Sequence, residues 1–156
     1  MRGKVYETAT DGGCRGNPGI GSWAFVVQLG TDIKGKSGFS QHTTNNEMEL
    51  LALLELMRWA TKLPTGSKVN VYMDSAYVLN GYTKWMHGWK NRMWRTASNQ
   101  PVKNKGLWHD LYHLSKDPTL PEINLVKVKG HSGHPLNDAA DERCNVAMDE
   151  YELSLI

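Results

Sequence analysis

Four carboxylates stand where the chain changes element, and their chemistry sets the first question. Asp11 closes one alternating apolar stretch, Asp74 closes another, Glu49 lies in the first turn of a helical pattern, and Asp141 lies in the last helical pattern. Carboxylates forced together repel and raise one another's pKa values. A divalent cation relieves that repulsion, and Mg2+ suits oxygen ligands, keeps several waters and bridges carboxylates to phosphate. Two such ions, about 3.5–4 Å apart, stabilise the attacking and leaving oxygens of an in-line phosphoryl displacement. Each acid also has a plain structural use. Asp11-Gly12 is a common turn pair, Asp74-Ser75 is a helix cap, Glu49 pairs with Asn46 as a capping box, and Asp141 is an exposed helical acid. His131 and His134 have HxxH spacing, a weak metal pattern for which surface loop histidines are the default reading. The glycine-rich stretch 12–21 lacks the Gly-Lys-Ser/Thr of a phosphate-cradling loop.

Positive charge is gathered in one place. The net charge is +2, but no acid occurs between Asp74 and Asp110, a window that holds Lys84, Lys90, Arg92, Arg95, Lys103 and Lys105. Trp85, Trp89, Trp94 and Trp108 share that window. Lysine and arginine neutralise phosphates, and aromatic faces pack on sugars and bases. The competing readings are a solvated basic face and plain helix packing of the tryptophans.

The elements that must position these groups follow from periodicity. Residues 4–10, 22–29 and 33–41 read as strands, with a loop or tight turn over 12–21, and short glycine-bearing connections predict an antiparallel meander. Met48, Leu50, Leu51, Leu53, Leu54, Met57 and Ala60 then recur at helical spacing, with Thr44 and Glu47 as a capping box and Pro64 and Gly66 as the stop. Residues 68–73 alternate as a fourth strand, and 123–128 form a fifth. Helices are expected over 75–81, 83–90, 104–115 and 136–148, with a polar stretch over 91–103 and an acidic tail after 148. A meander followed by βαβ connections predicts an α/β (mixed α+β) sheet of five strands with helices on both faces, in the order βββαβαααβα. If the first and fourth strands are parallel neighbours, Asp11 and Asp74 fall about 4.8 Å apart at the edge where such sheets carry sites.

At 156 residues, 40% of them apolar and 22% charged, the chain fits one domain spanning 1–156. No apolar run reaches the ~20 residues of a membrane helix, and no signal peptide is expected at the start. Cys14 and Cys144 form no CxxC pair and are expected as free thiols, which suits a reducing cytoplasm.

Six motifs, in order, carry a family resemblance. They are Thr10–Gly19, Thr43–Leu50, Asp74–Val78, the stretch from Trp85 through Ala97, Pro101–Asn104, and Val128–Pro135 followed by Asn137 and Asp141. From about Val5 to Met148 the chain resembles bacterial-type ribonuclease H type 1. That resemblance implies a ribonuclease H-like fold and an endonuclease that hydrolyses the RNA strand of RNA–DNA hybrids, leaving 3′-hydroxyl and 5′-phosphate ends largely independently of sequence. It implies Mg2+, with Mn2+ as an alternative and two ions when substrate is bound, on Asp11, Glu49, Asp74 and Asp141. His131 corresponds to a loop histidine that assists proton transfer or product release. Asn17, Asn45 and Asn46 correspond to residues that contact the hybrid, including RNA 2′-hydroxyls, and Thr44 to the DNA phosphate pocket. Trp85, Trp89, Lys90, Arg92, Trp94 and Arg95 fall in the basic protrusion (84–103) that holds the DNA strand. Ala76, Glu47 and Asn91 depart from the family's common glutamine, arginine and basic residue, each removing a contact near nucleic acid. A monomer is expected, with no membrane partner. A DNA-cutting or strand-transfer enzyme on the same scaffold, or a non-catalytic hybrid-binding module, remains as an alternative.

Overall fold

The computed structural model describes residues 3–156, a mixed five-stranded sheet whose two faces are covered by helices. β1 (Val5–Arg15), β2 (Gly19–Leu29) and β3 (Asp32–Thr43) form the antiparallel meander. β4 (Lys68–Met73) adds parallel to β1 and β5 (Glu122–Lys127) parallel to β4, giving the order β3-β2-β1-β4-β5. The 12–21 stretch is not the loop that its five glycines suggested. β1 and β2 stay paired as far as Arg15↔Ile20, and only residues 16–18 turn.

Alternation decides which face each strand residue serves. Tyr6 on β1, Phe25 and Val27 on β2, and Val69, Val71 and Met73 on β4 pack against α1 (Asn45–Ala60) through Leu50, Leu53, Leu54 and Met57. Each such side chain, fully buried, contributes roughly 1.5–3 kcal/mol before the entropy of ordering is set against it. The opposite face carries Ala9 and Val26 under Leu136 and Ala140 of α5 (Pro135–Ser154). Small residues at Ala9 and Ala140 let this long helix lie close to the sheet.

Thr44 caps α1, its hydroxyl oxygen accepting from the Glu47 N–H at 3.2 Å. Ser75 caps α2 (Ala76–Asn80) in the same way through Val78. A wider π turn over Gly81–Trp85 then leads into α3 (Met86–Asn91). The Trp108 ring of α4 (Lys105–Ser115) lies directly on Gly81, where a Cβ would collide with it. The 149–156 stretch corrects the expectation of a tail: α5 continues through Ser154. Arg15 holds it with ion pairs to Asp149 at 2.7 Å and Glu152 at 2.6 Å. Phe39 adds a ring contact to Tyr151 at 4.7 Å. No helix of the described residues is long and apolar enough to cross a membrane.

Candidate active site

β1 and β4 run side by side until Ala9↔Tyr72 and then part. Asp11 and Asp74, each two residues further on, share the face of Ala9 and Tyr72 at the carboxyl edge of this parallel pair. Glu49 joins them because α1 begins across Gly12. A Cβ on Gly12 would collide with the Met48 carbonyl and the Glu49 amide, so only glycine admits the helix so close. The Gly12 amide, beside the Glu49 carboxylate, partly offsets the rise that burial imposes on it. Asp74 is backed by Gly130, where a Cβ would stand 2.6 Å from Asp74 Oδ2.

One oxygen from each of Asp11, Glu49 and Asp74 lies within 4.8 Å of the others. Burial first, and the Asp74 charge second, push the Asp11 carboxyl up to about 7. Burial likewise raises Glu49 well above its usual value, with Asp11 the next cause. Glu49 Oε1 is buried with no hydrogen-bond partner among the described residues. Clustered carboxylates, two of them with raised pKa values, and an orphaned buried oxygen fit a hard divalent cation, which takes oxygen ligands and displaces protons. Asp141 stands outside this mutual triad. From α5 it lines the same pocket, whose volume is about 430 Å³, and its charge adds to the rise at Asp11. His131, exposed and in the left-handed backbone region at φ 57°, places Nδ1 4.0 Å from Asp141 Oδ2.

The asparagines gather at the same mouth. Asn45 and Asn46, exposed in the first turn of α1, line the pocket. Asn17, at the β1–β2 turn, accepts from the Asn45 N–H through Oδ1 at 3.1 Å, so its amide NH2 stays free to donate. The Thr44 oxygen is engaged as the helix cap, and its hydroxyl proton remains available.

The basic segment is half platform and half open surface. Trp89 packs on Trp108 at 5.3 Å, and Trp94 meets Tyr112 at 5.9 Å, so packing rather than exposure explains these two rings. Trp85 is the exposed member, 5.8 Å from Trp89. Lys90, Arg92 and Arg95 are exposed and pair with no carboxylate among the described residues. Arg95 instead donates to the Asn99 carbonyl at 3.1 Å.

Sequence reasoning assigned no role to Gly130 or Arg15. Gly130 admits Asp74, and Arg15 lines the pocket while holding α5. The signal for Gly130 lay in the Lys-Gly-His run; nothing in sequence pairs Arg15 with residues 134 and 137 positions away. Cys14 and Cys144 are free, as expected. The Cys144 thiol is buried beside Asp11, donates to its carbonyl at 3.4 Å, and is pushed far up by that burial.

Comparison with known proteins agrees with this geometry. A family model described as RNase H matches residues 3–148. The Ribonuclease H of Agrobacterium fabrum (strain C58 / ATCC 33970) is 46% identical over 149 residues, covering 96% of this chain and 98% of that protein. Among solved structures, LC9-RNase H1, a type 1 RNase H with the type 2 active-site motif, superposes with a TM-score of 0.80 at 25% identity, covering 96% of this chain and 74% of that one. LC11-RNase H1 in complex with an RNA/DNA hybrid gives 0.68 at 25% identity, covering 94% and 98%.

Proposed function

The chain belongs to the RNase H family and cleaves the RNA strand of RNA–DNA hybrids; we propose that it does so at Asp11, Glu49, Asp74 and Asp141, with Mg2+ as the preferred ion. The observation that carries the site is the convergence of three carboxylates within 4.8 Å around a buried, partnerless Glu49 oxygen. When bound, the cations supply charge for the attacking and leaving oxygens of the phosphodiester. The four carboxylates would hold them, and the raised Asp11 and Glu49 would give up protons on binding. Hydrolysis adds water across the P–O3′ bond, leaving a 3′-hydroxyl and a 5′-phosphate. His131, at an exposed loop position beside Asp141, carries a proton at the leaving-group side or helps release product.

Strand choice comes from the rim. Only the 2′-hydroxyl separates RNA from DNA at a given position, and the amides of Asn17, Asn45 and Asn46 both donate and accept. Thr44 donates to a DNA phosphate. Lys90, Arg92 and Arg95, with Trp85 at the edge of the Trp89 and Trp94 platform, hold the DNA backbone. None of these contacts reads a base edge, so cleavage is largely independent of sequence. Two free cysteines suit a reducing compartment, so the proposed place of work is the cytoplasm. Incubating a labelled hybrid with wild type and with Asp74→Asn, with and without Mg2+, tests the site. Metal-dependent cleavage by the wild type and a loss of several orders of magnitude in the variant are expected; undiminished cleavage by Asp74→Asn would remove that residue from the site.

A further inference from the structure

Outside the acid pocket, two histidines meet on the outer face of α4. His109 and His113 are four residues apart, so their side chains lie one above the other on one helix face. Both are exposed, and their Nε2 atoms stand 3.1 Å apart, with ring centroids 4.3 Å apart. We propose that His109 and His113 form a second metal site, a bidentate imidazole pair for a borderline transition cation, with Zn2+ the representative ion.

The spacing is that of a chelate. Zn–N bonds of about 2.0–2.1 Å, at N–Zn–N angles of roughly 90–110°, put the two nitrogens about 2.9–3.4 Å apart. The rings therefore already sit at the bite distance, and little side-chain freedom is left to lose on binding. His109 Nδ1 lies 3.5 Å from Asp110 Oδ1. A carboxylate near that nitrogen favours the Nδ1–H tautomer electrostatically, which leaves the lone pair on Nε2, on the side of His113. With His109 in that tautomer, the 3.1 Å contact in the metal-free protein has His113 Nε2–H donating to His109 Nε2. On binding, His113 takes its proton at Nδ1 by exchange with solvent, and both rings remain neutral ligands. Water fills the remaining positions, because the helix face is open.

This site differs in kind from the carboxylate cluster. Nitrogen donors select Zn2+, Ni2+ or Cu2+ over Mg2+, and no residue of α4 lines the acid pocket. Trp94, from the basic segment, packs its edge on His109 at 5.6 Å, so a bound ion sits at the root of that segment.

The test is calorimetric titration of ZnCl2 into the full chain in excess Mg2+, which keeps the carboxylates occupied. Wild type and Asp74→Asn should each bind one Zn2+ with the same affinity. His109→Gln and His113→Gln should each weaken it about tenfold or more. Zn2+ should raise the Tm of the wild type by mass action and that of the glutamine variants by clearly less at the same concentration, while their metal-free Tm values report that they fold. Equal Zn2+ affinity in wild type and both glutamine variants would overturn the proposal. So would Zn2+ binding that disappears with Asp74→Asn or with added Mg2+, since the cation would then belong to the carboxylates.

Discussion

At the scale of single residues, burial holds two acids of the site, Asp11 and Glu49, back from ionising. Asp11 is raised to about 7 by burial and then by Asp74, and Glu49 is raised as well. The folded metal-free protein therefore binds protons more tightly than the unfolded chain, and stability is lost as pH rises from about 4 through about 7. Asp11→Asn removes that loss, so without metal it should be more stable than wild type at pH 8 by roughly 1–3 kcal/mol and show a flatter pH profile. Thermal melts in EDTA across pH 4–8 check this, and a wild-type profile parallel to that of Asp11→Asn would show that Asp11 ionises freely. Three of these acids were legible because they close or open elements, and the motifs around them fixed their partners. The place of Asp141 was less legible. A helical acid carries no signal of what it faces, and it lines the pocket without joining the tight triad.

Elements decide which residues reach substrate. The basic segment combines an interior of Trp89, Trp94 and Trp108 with an exterior of unpaired Lys90, Arg92 and Arg95. Each phosphate contact releases counterions, so Lys90→Ala with Arg95→Ala should weaken hybrid binding and flatten the slope of log K against log salt by about 1–2. Binding titrations at several salt concentrations measure this, and an unchanged slope would place the DNA strand elsewhere. The acid-free window of sequence showed where the charge lay. It did not show which tryptophans face inward, because spacing along a helix fixes a face and not what covers it. The glycine-rich hairpin misled for a related reason. Glycine reads as a breaker, yet at Gly12 it serves an extended strand by letting α1 pass over it.

On the scale of the whole molecule, the sheet order makes β1 the shared support of both faces, and the extension of α5 to Ser154 ties the last helix back to the first hairpin. Apolar periodicity fades after Met148, which is why sequence suggested a tail; the stabilising contacts come from Arg15 and Phe39, far away in the chain. Those ion pairs are partly exposed and worth little singly, and the Phe39–Tyr151 contact adds about 0.5–1.5 kcal/mol. Deleting 149–156 should therefore cost about 1–2 kcal/mol of stability while hybrid cleavage persists; denaturant unfolding measures the first and a cleavage assay the second. Complete unfolding on deletion would show that this end carries more of the fold than its contacts explain.

The most direct measurement is calorimetric titration of Mg2+ into the wild-type chain and into Asp11→Asn and Asp74→Asn, near pH 8. Mg2+ is chosen because it takes oxygen and not imidazole. Saturable binding by the wild type that is lost in both variants is the predicted result. Equal Mg2+ binding by all three would contradict a shared cation at the meeting point of Asp11, Glu49 and Asp74.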